Sequence, residues 1–354
     1  LFGGWFGAYP YETLTLVDPP WGADATGGME YPTFILAGTS ILAPPSTLRP
    51  EGVTIHELGH QWWYGLVATD EMQESYLDEG ITTWATGRAL AEAYGPRAFS
   101  IDPLGLPLVV PGLSLDHGRD TSARYFEAPS TDPIARTSWG YLDRGAYRRM
   151  TYSKMALAME QLRRTLGAET FDRALRTYAE RYRFRHPKTA DLVRTFEESA
   201  GRDLDAFFDQ VLFGAEVLDY AVAEASSRRR TGPLGVFAVD EPAARVAEPL
   251  PGWESEVVVR RLGGVQLPVT VELVFEGGQT SRREWDGRDR WVRYRVTGPK
   301  LLSAEVDPDD TLVLDVDPVN DRLTTERQPH AARRWGQVLR FWLQNVLEIF
   351  AAFA

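Results

Sequence analysis

The segment His56-Glu57-Leu58-Gly59-His60, followed nineteen positions later by Glu79 within Tyr76-Leu77-Asp78-Glu79-Gly80, constrains this chain more than any other feature. Histidines at i and i+4 lie on one face of an α-helix, where both imidazoles reach a single cation. The gap to Glu79 lets the chain turn and return as a second helix that brings an acid to the same point. Any fold for this chain must pack those two helices together. Two imidazoles, one carboxylate and an open fourth position describe a catalytic zinc site, since structural sites close with four protein ligands. Cobalt or manganese could fill the same ligand set. Glu57 lies beside the ligands without being one of them, the place for a general base acting on water. The flanks, Thr54-Ile55 before and Gln61-Trp62-Trp63 after, add specificity that a merely polar helix face lacks.

The 354 residues suffice for two domains, and 44% hydrophobic with 25% charged residues is a globular composition. A formal charge of −12 argues against a nucleic-acid partner, because phosphate backbones need a basic face. With no cysteine, disulfides, thiolate metal sites and a cysteine nucleophile are excluded. The chain begins at Leu1, and Leu14-Thr15-Leu16-Val17 reads as a strand in need of neighbours. A fragment or processed product is therefore expected, and compartment is not legible from the N-terminus.

From about residue 47 to 213 the pattern is helical. Pro50 suits the first turn of the histidine helix. Met155, Met159, Leu162 and Leu166 share one helix face, with Gly167 as a stop. Phe171, Ala174, Leu175, Tyr178 and Tyr182 repeat at the same spacing, and Thr189 with Asp191 opens a further helix that closes at Gly201. Residues 96–145, rich in Pro, Gly and Asp, predict a long loop serving as cleft wall or lid. Near residue 216 the period changes to two. Val269, Val271, Leu273 and Phe275 alternate with Thr270, Glu272 and Val274, Gly277-Gly278 and Asp286-Gly287 turn the chain, and Leu312 with Leu314 continues the strands. A β-sandwich module follows from this spacing.

Trp335, Leu339, Trp342, Leu343, Val346, Leu347 and Phe350 form a terminal apolar stripe, interrupted by Arg340 and Glu348. Those charges argue against a transmembrane span. Two readings stay open for residues 335–354: an amphipathic helix on a membrane surface, or packing against a partner domain. The expected architecture is α+β. Residues 1–214 form a mainly helical metal-binding domain with a small N-terminal sheet, residues 215–327 the sandwich, and residues 328–354 the amphipathic helix.

These motifs resemble one family closely, the zinc aminopeptidases of the aminopeptidase N type, whose catalytic domain is thermolysin-like. The resemblance runs over residues 5–327. Gly27-Gly28-Met29-Glu30-Tyr31 is similar to the family's exopeptidase motif, and Tyr152-Ser153-Lys154 to the segment with its catalytic tyrosine. Phe184-Arg185-His186-Pro187, then Asp191, resembles bacterial members. The resemblance implies one zinc per chain on His56, His60 and Glu79, with Glu57 as base. It implies Glu30 as carboxylate for the substrate's free α-ammonium, by a charge-assisted hydrogen bond. Gly27, Gly28 and Met29 would lie along an extended peptide, which the two glycines let approach closely. Tyr152 would donate to the oxyanion, and Tyr147 would assist as a second phenol. The implied partner is a peptide with a free N-terminus. Tyr31 stands where the family usually has Asn, and Met155 where many relatives have Gly, which predicts a narrower pocket floor. The resemblance does not extend to the family's N-terminal β domain or its large C-terminal helical domain. A zinc endopeptidase of the same fold and a membrane-associated non-catalytic module are the alternatives.

Overall fold

The computed structural model describes residues 1–20, 22–23, 27–39, 47–95, 97–101, 108–115, 117–231, 249–326 and six residues between 336 and 344. Packing of the backbone divides the chain into two compact units. The first comprises Leu1–Asp219, Gly263–Leu267 and Asp310–Val316; the second comprises Tyr220–Leu262, Pro268–Asp309 and Asp317–Ala354.

The first unit is mainly helical. A short helix, α1 (Phe2–Phe6), precedes a three-stranded sheet of β1 (Thr15–Val17), β2 (Gly28–Met29) and β3 (Phe34–Ala37). β3 is central, parallel to β1 and antiparallel to β2, so Gly28 and Met29 lie on a sheet edge. α2 (Arg49–Gly59) carries the first histidine and Glu57, with Pro50 in its first turn. α3 (Glu71–Tyr94) starts where Asp70 accepts hydrogen bonds from the amides of Met72 and Gln73, satisfying donors a helix start leaves orphaned. The helix kinks at Glu74, whose φ/ψ of −140°/47° is not helical. There Thr189 donates to the Glu74 carboxylate from its amide at 3.1 Å and its hydroxyl at 2.6 Å. This cross-link aims the rest of α3 at the histidine helix.

α3 is the axis of the core, burying Tyr76, Leu77, Ile81, Trp84 and Ala85. It packs on α2, on α4 (His117–Phe126), on α6 (Met155–Leu166) and on a π-helical turn, Arg149–Lys154, that follows α5 (Arg144–Arg148). α6, α7 (Ala168–Arg181) and α8 (Thr189–Ala200) bury the faces their periodicity predicts, and Gly201 takes the left-handed conformation that ends α8. α9 (Asp205–Phe208) and a second π turn, Asp209–Phe213, complete the helices.

Two expectations fail here. Residues 96–145 do not form one long loop: β4 (Arg97–Ile101) pairs antiparallel with β5 (Leu108–Leu115), and α4 and α5 follow. The hairpin has no clean alternation in sequence, because β5 runs Leu-Val-Val-Pro-Gly-Leu-Ser-Leu. Leu312 and Leu314 are buried, yet they do not continue the strands; they lie in Asp310–Val316 of the first unit, where the Val316 amide bonds the Leu218 carbonyl at 3.0 Å. Period alone could not tell a buried irregular segment from a strand.

In the second unit, β6 (Tyr220–Thr231), β7 (Pro249–Arg261) and β10 (Trp291–Gly298) form an antiparallel sheet in the order β10-β7-β6. β8 (Val269–Phe275), β9 (Thr280–Trp285), β11 (Leu301–Val306) and β12 (Arg322–Thr324) form another, ordered β12-β11-β8-β9. β8 buries every second residue, and Gly277 and Gly278 take positive φ in the turn that follows it. The expected helix over 328–354 falls almost wholly outside the described residues. Among the described residues, no helix is long and apolar enough to cross a membrane.

Candidate metal centre

α2 and α3 cross so that three donor atoms face one point. His56 Nε2 lies 3.1 Å from His60 Nε2 and 3.1 Å from Glu79 Oε2, and His60 Nε2 lies 3.3 Å from the same oxygen. A tetrahedral zinc with bonds of about 2.0–2.1 Å needs ligand separations of roughly 3.3–3.4 Å. The donor set therefore fits such an ion in element, number and spacing. Protonation agrees at two positions. Burial keeps His56 below its usual range, favouring the neutral imidazole. Burial alone would raise Glu79, but its close contacts with both imidazoles outweigh it and hold the carboxyl low.

His60 is fixed from behind. Its Nδ1 lies 2.6 Å from Asp78 Oδ1, with both side chains 1% exposed. That contact places a proton on Nδ1 and leaves Nε2 free to ligate. Asp78, the neighbour of Glu79 in sequence, is thus a buried partner of the imidazole and not a solvated acid at a helix start.

Glu57 is also buried. Its Oε1 presses on β2, so that a Cβ at Gly28 would sit 2.6 Å from it. Its Oε2 is buried without a hydrogen-bond partner. An orphaned carboxylate oxygen inside a protein is costly, so a water or cation beside it relieves a real deficit. Burial pushes Glu57 up to about 8, against the opposing pull of His60.

The other expected residues gather around this point. Tyr152, from the π turn, donates its hydroxyl to Glu79 Oε1, and burial followed by the Glu79 charge raises its pKa. Tyr147 stands edge-on to Tyr152 with ring centroids 6.2 Å apart, and burial raises its hydroxyl too. Glu30, Glu71 and Asp78 each offer a carboxylate oxygen, all within 4.8 Å of one another. Gly27, Gly28 and Met29 lead into Glu30 along the edge strand, where the Gly38 amide bonds the Gly27 carbonyl at 2.6 Å. Tyr31 is 49% exposed. Met155 does not narrow a pocket floor: it is fully buried against Gly80. His186 bonds the Ala68 carbonyl at 2.8 Å, away from the metal point.

Two positioning elements were not singled out from sequence. Gln61, next to His60 and 2% exposed, accepts from the Thr33 amide at 2.9 Å and donates toward the carbonyls of Glu30 and Tyr31 at 3.3 and 3.4 Å. It clamps the strand segment carrying Glu30 to the histidine helix. Gly80 lets α3 touch α6 and the π turn. A Cβ there would meet Met155 Cγ at 2.2 Å, Met155 Cβ at 2.4 Å and the Thr151 carbonyl at 2.8 Å. The glycine after Glu79 was visible in the motif; its partner seventy-five positions away was not.

An α+β chain whose buried carboxylate and two-histidine, one-glutamate cluster meet at one point has the layout of a metallopeptidase. The Peptidase family M1 domain matches residues 5–211, more than half of the chain, and the chain belongs to that family. Aminopeptidase M1-B from Oryza sativa subsp. japonica is 28% identical over 213 residues, covering 57% of this chain and 22% of its own length. Aminopeptidase N from Streptomyces lividans is 28% identical over 159 residues, covering 42% of this chain and 17% of its own. Aminopeptidase A from Legionella pneumophila, solved in complex with aspartic acid, has a TM-score of 0.53 at 14% identity over 85% of this chain and 31% of that one. Such a likeness speaks to the fold alone. The chain spans about a fifth of the length of the curated relatives it matches.

Proposed function

We propose that this chain is a zinc-dependent aminopeptidase with a thermolysin-like catalytic arrangement in residues 1–214 and a β-sandwich in residues 215–327. It holds one zinc on His56, His60 and Glu79. The observation that carries this reading is the cluster of three donors 3.1–3.3 Å apart with the unpartnered Glu57 oxygen buried nearby. When bound, the metal supplies Lewis acidity, which polarises a carbonyl and makes water a stronger acid.

The remaining work falls to the side chains. Asp78 holds the His60 tautomer. Glu57 takes the proton of the attacking water on its free oxygen and returns it to the leaving amine. Tyr152, whose hydroxyl already lies at the ligand carboxylate, donates to the developing oxyanion, with Tyr147 beside it. Glu30 receives the substrate's α-ammonium, while the edge strand from Gly27 to Met29 offers backbone bonds to the extended peptide. Like-charged Glu71 and Asp78 nearby deepen the negative potential at that end.

The test compares a free-amine peptide with its N-acetylated copy. Cleavage of the free form with the blocked form resistant is expected. Equal cleavage removes the assigned role of Glu30, and internal cuts in the blocked peptide replace this reading with an endopeptidase. Glu57→Gln should lower kcat by about 10²–10⁴ with metal content unchanged. Undiminished activity in that variant ends the hydrolytic reading.

A further inference from the structure

Ahead of the tyrosines lies a turn whose composition is odd for its position. Residues 137–140 form a tight turn, closed by the Gly140 amide to the Thr137 carbonyl at 2.8 Å, with Trp139 next to its apex. Third positions of turns favour Gly, Asn and Asp, because the backbone bends there into solvent. Trp139 instead leaves 64% of its surface exposed, and among the described residues its indole has no ring or hydrogen-bond partner.

The turn is nonetheless held tightly. Arg136 donates to the Gly140 carbonyl at 2.6 Å and pairs with the buried Asp132 carboxylate at 3.0 Å. The Leu142 amide donates to that same Asp132 at 2.9 Å, and the Tyr141 hydroxyl to the Ile134 carbonyl at 2.6 Å. A loop pinned this firmly that still exposes a large aromatic ring is built to present it.

Two sets of contacts locate what it faces. On one side, the Ser138 amide bonds the Met72 carbonyl at 3.0 Å and its hydroxyl bonds the Glu71 carbonyl. Glu71 is the residue whose carboxylate groups with that of Glu30. On the other side, Tyr141, two residues on, packs edge-to-face on Tyr147 at 5.5 Å, and Tyr147 on Tyr152 at 6.2 Å. The turn thus bridges the acidic end of the centre and its row of phenols. Met72, whose carbonyl takes the Ser138 amide, is itself 61% exposed and apolar.

We infer that Trp139, with Met72, forms the wall of the subsite for the side chain of the substrate's N-terminal residue, and selects large apolar or aromatic side chains there. The inference rests on the reading that Glu30 binds the α-ammonium. With that group anchored at the carboxylates, the first side chain leaves the peptide close to the turn that Ser138 ties to Glu71. An indole face offers wide apolar contact to Phe or Leu and almost none to Ala.

The experiment compares the metal-loaded wild type with Trp139→Ala on aminoacyl-coumarin amides of Phe, Leu, Ala and Arg. The substitution is at the surface, so the fold should survive it. Phe and Leu amides should lose on the order of tenfold or more in kcat/KM, mainly through KM, while the Ala amide stays within about twofold. A uniform loss across the four, or no loss, overturns the proposal. A loss confined to Arg overturns the apolar class and assigns the indole to a cation. Calorimetric binding of phenylalaninamide and alaninamide gives a second readout that needs no turnover: the wild type should prefer the former, and Trp139→Ala should not. No preference in the wild type overturns the proposal as well. An N-acetylated Phe amide run in parallel separates the two readings, since its cleavage at the free-amine rate counts against Glu30 and leaves the Trp139 comparison standing.

Discussion

Replacing Gly80 by alanine adds one methyl at a crowded crossing in the first unit. The new Cβ would lie 2.4 Å from Met155 Cβ and 2.8 Å from the Thr151 carbonyl oxygen, where ordinary contact begins at 3.4 Å. Neither neighbour can swing aside: one is backbone, and the other is fixed to α6 by a side chain with no exposed surface. Relief therefore requires α3 to retreat from the π turn by about 1 Å, the distance that restores ordinary contact. Overpacking of this kind costs about 1–3 kcal/mol, while alanine's better helix propensity returns about 1 kcal/mol. A net loss of up to roughly 2 kcal/mol, seen as a few degrees in Tm, is expected. Activity should fall further than stability, because the same retreat separates Glu79 from Tyr152, and a displacement near 1 Å can cost about a hundredfold in rate. Thermal denaturation and kcat would be measured for Gly80→Ala, Met155→Gly and the double variant. Met155→Gly removes two of the three clashes, so the double variant should regain part of what the sum of the singles predicts. A Gly80→Ala protein as stable and as fast as its parent would refute this account of the crossing.

Asp78→Asn keeps the shape but weakens the charge-assisted bond to His60, and metal affinity should drop about 10–100-fold in a chelator competition. An unchanged affinity would mean that burial alone orients the imidazole. Lys154 is 2% exposed, its ammonium reaching the Gly214 carbonyl at 3.4 Å and lying 6.0 Å from the Tyr125 ring centroid, and burial lowers its pKa to about 8. Between pH 8 and the unfolded value near 10.5, the unfolded chain binds a proton that the native state does not. Stability should therefore gain up to about 3 kcal/mol over that window relative to Lys154→Met, whose own stability at pH 7 should be higher than the parent's. Parallel pH–stability curves for the two proteins would show that Lys154 keeps its proton on folding.

Short-range chemistry was legible in the residues themselves. The i, i+4 spacing of His56 and His60 fixes both rings on one face, and Pro50 at the start of α2 and Gly201 after α8 act within a single turn. The alternation from Val269 to Phe275 needs only the pleat of the strand that bears it. Each of these signals is contained in a few consecutive residues, where backbone geometry alone relates one side chain to the next.

The rest depended on which segments packed together, and no local period encodes that. Asp78 became a buried partner of His60 only when α3 crossed α2. Gly80 acquired its importance from Met155 and Thr151, Gln61 from the strand it clamps, and Trp139 from a turn anchored to Glu71 on one side and the Tyr147–Tyr152 row on the other. The buried run around Leu312 departs from a strand for the same reason. Leu312 and Leu314 pack among neighbours distant in sequence, so their meaning is set by the tertiary contacts and not by the spacing between them.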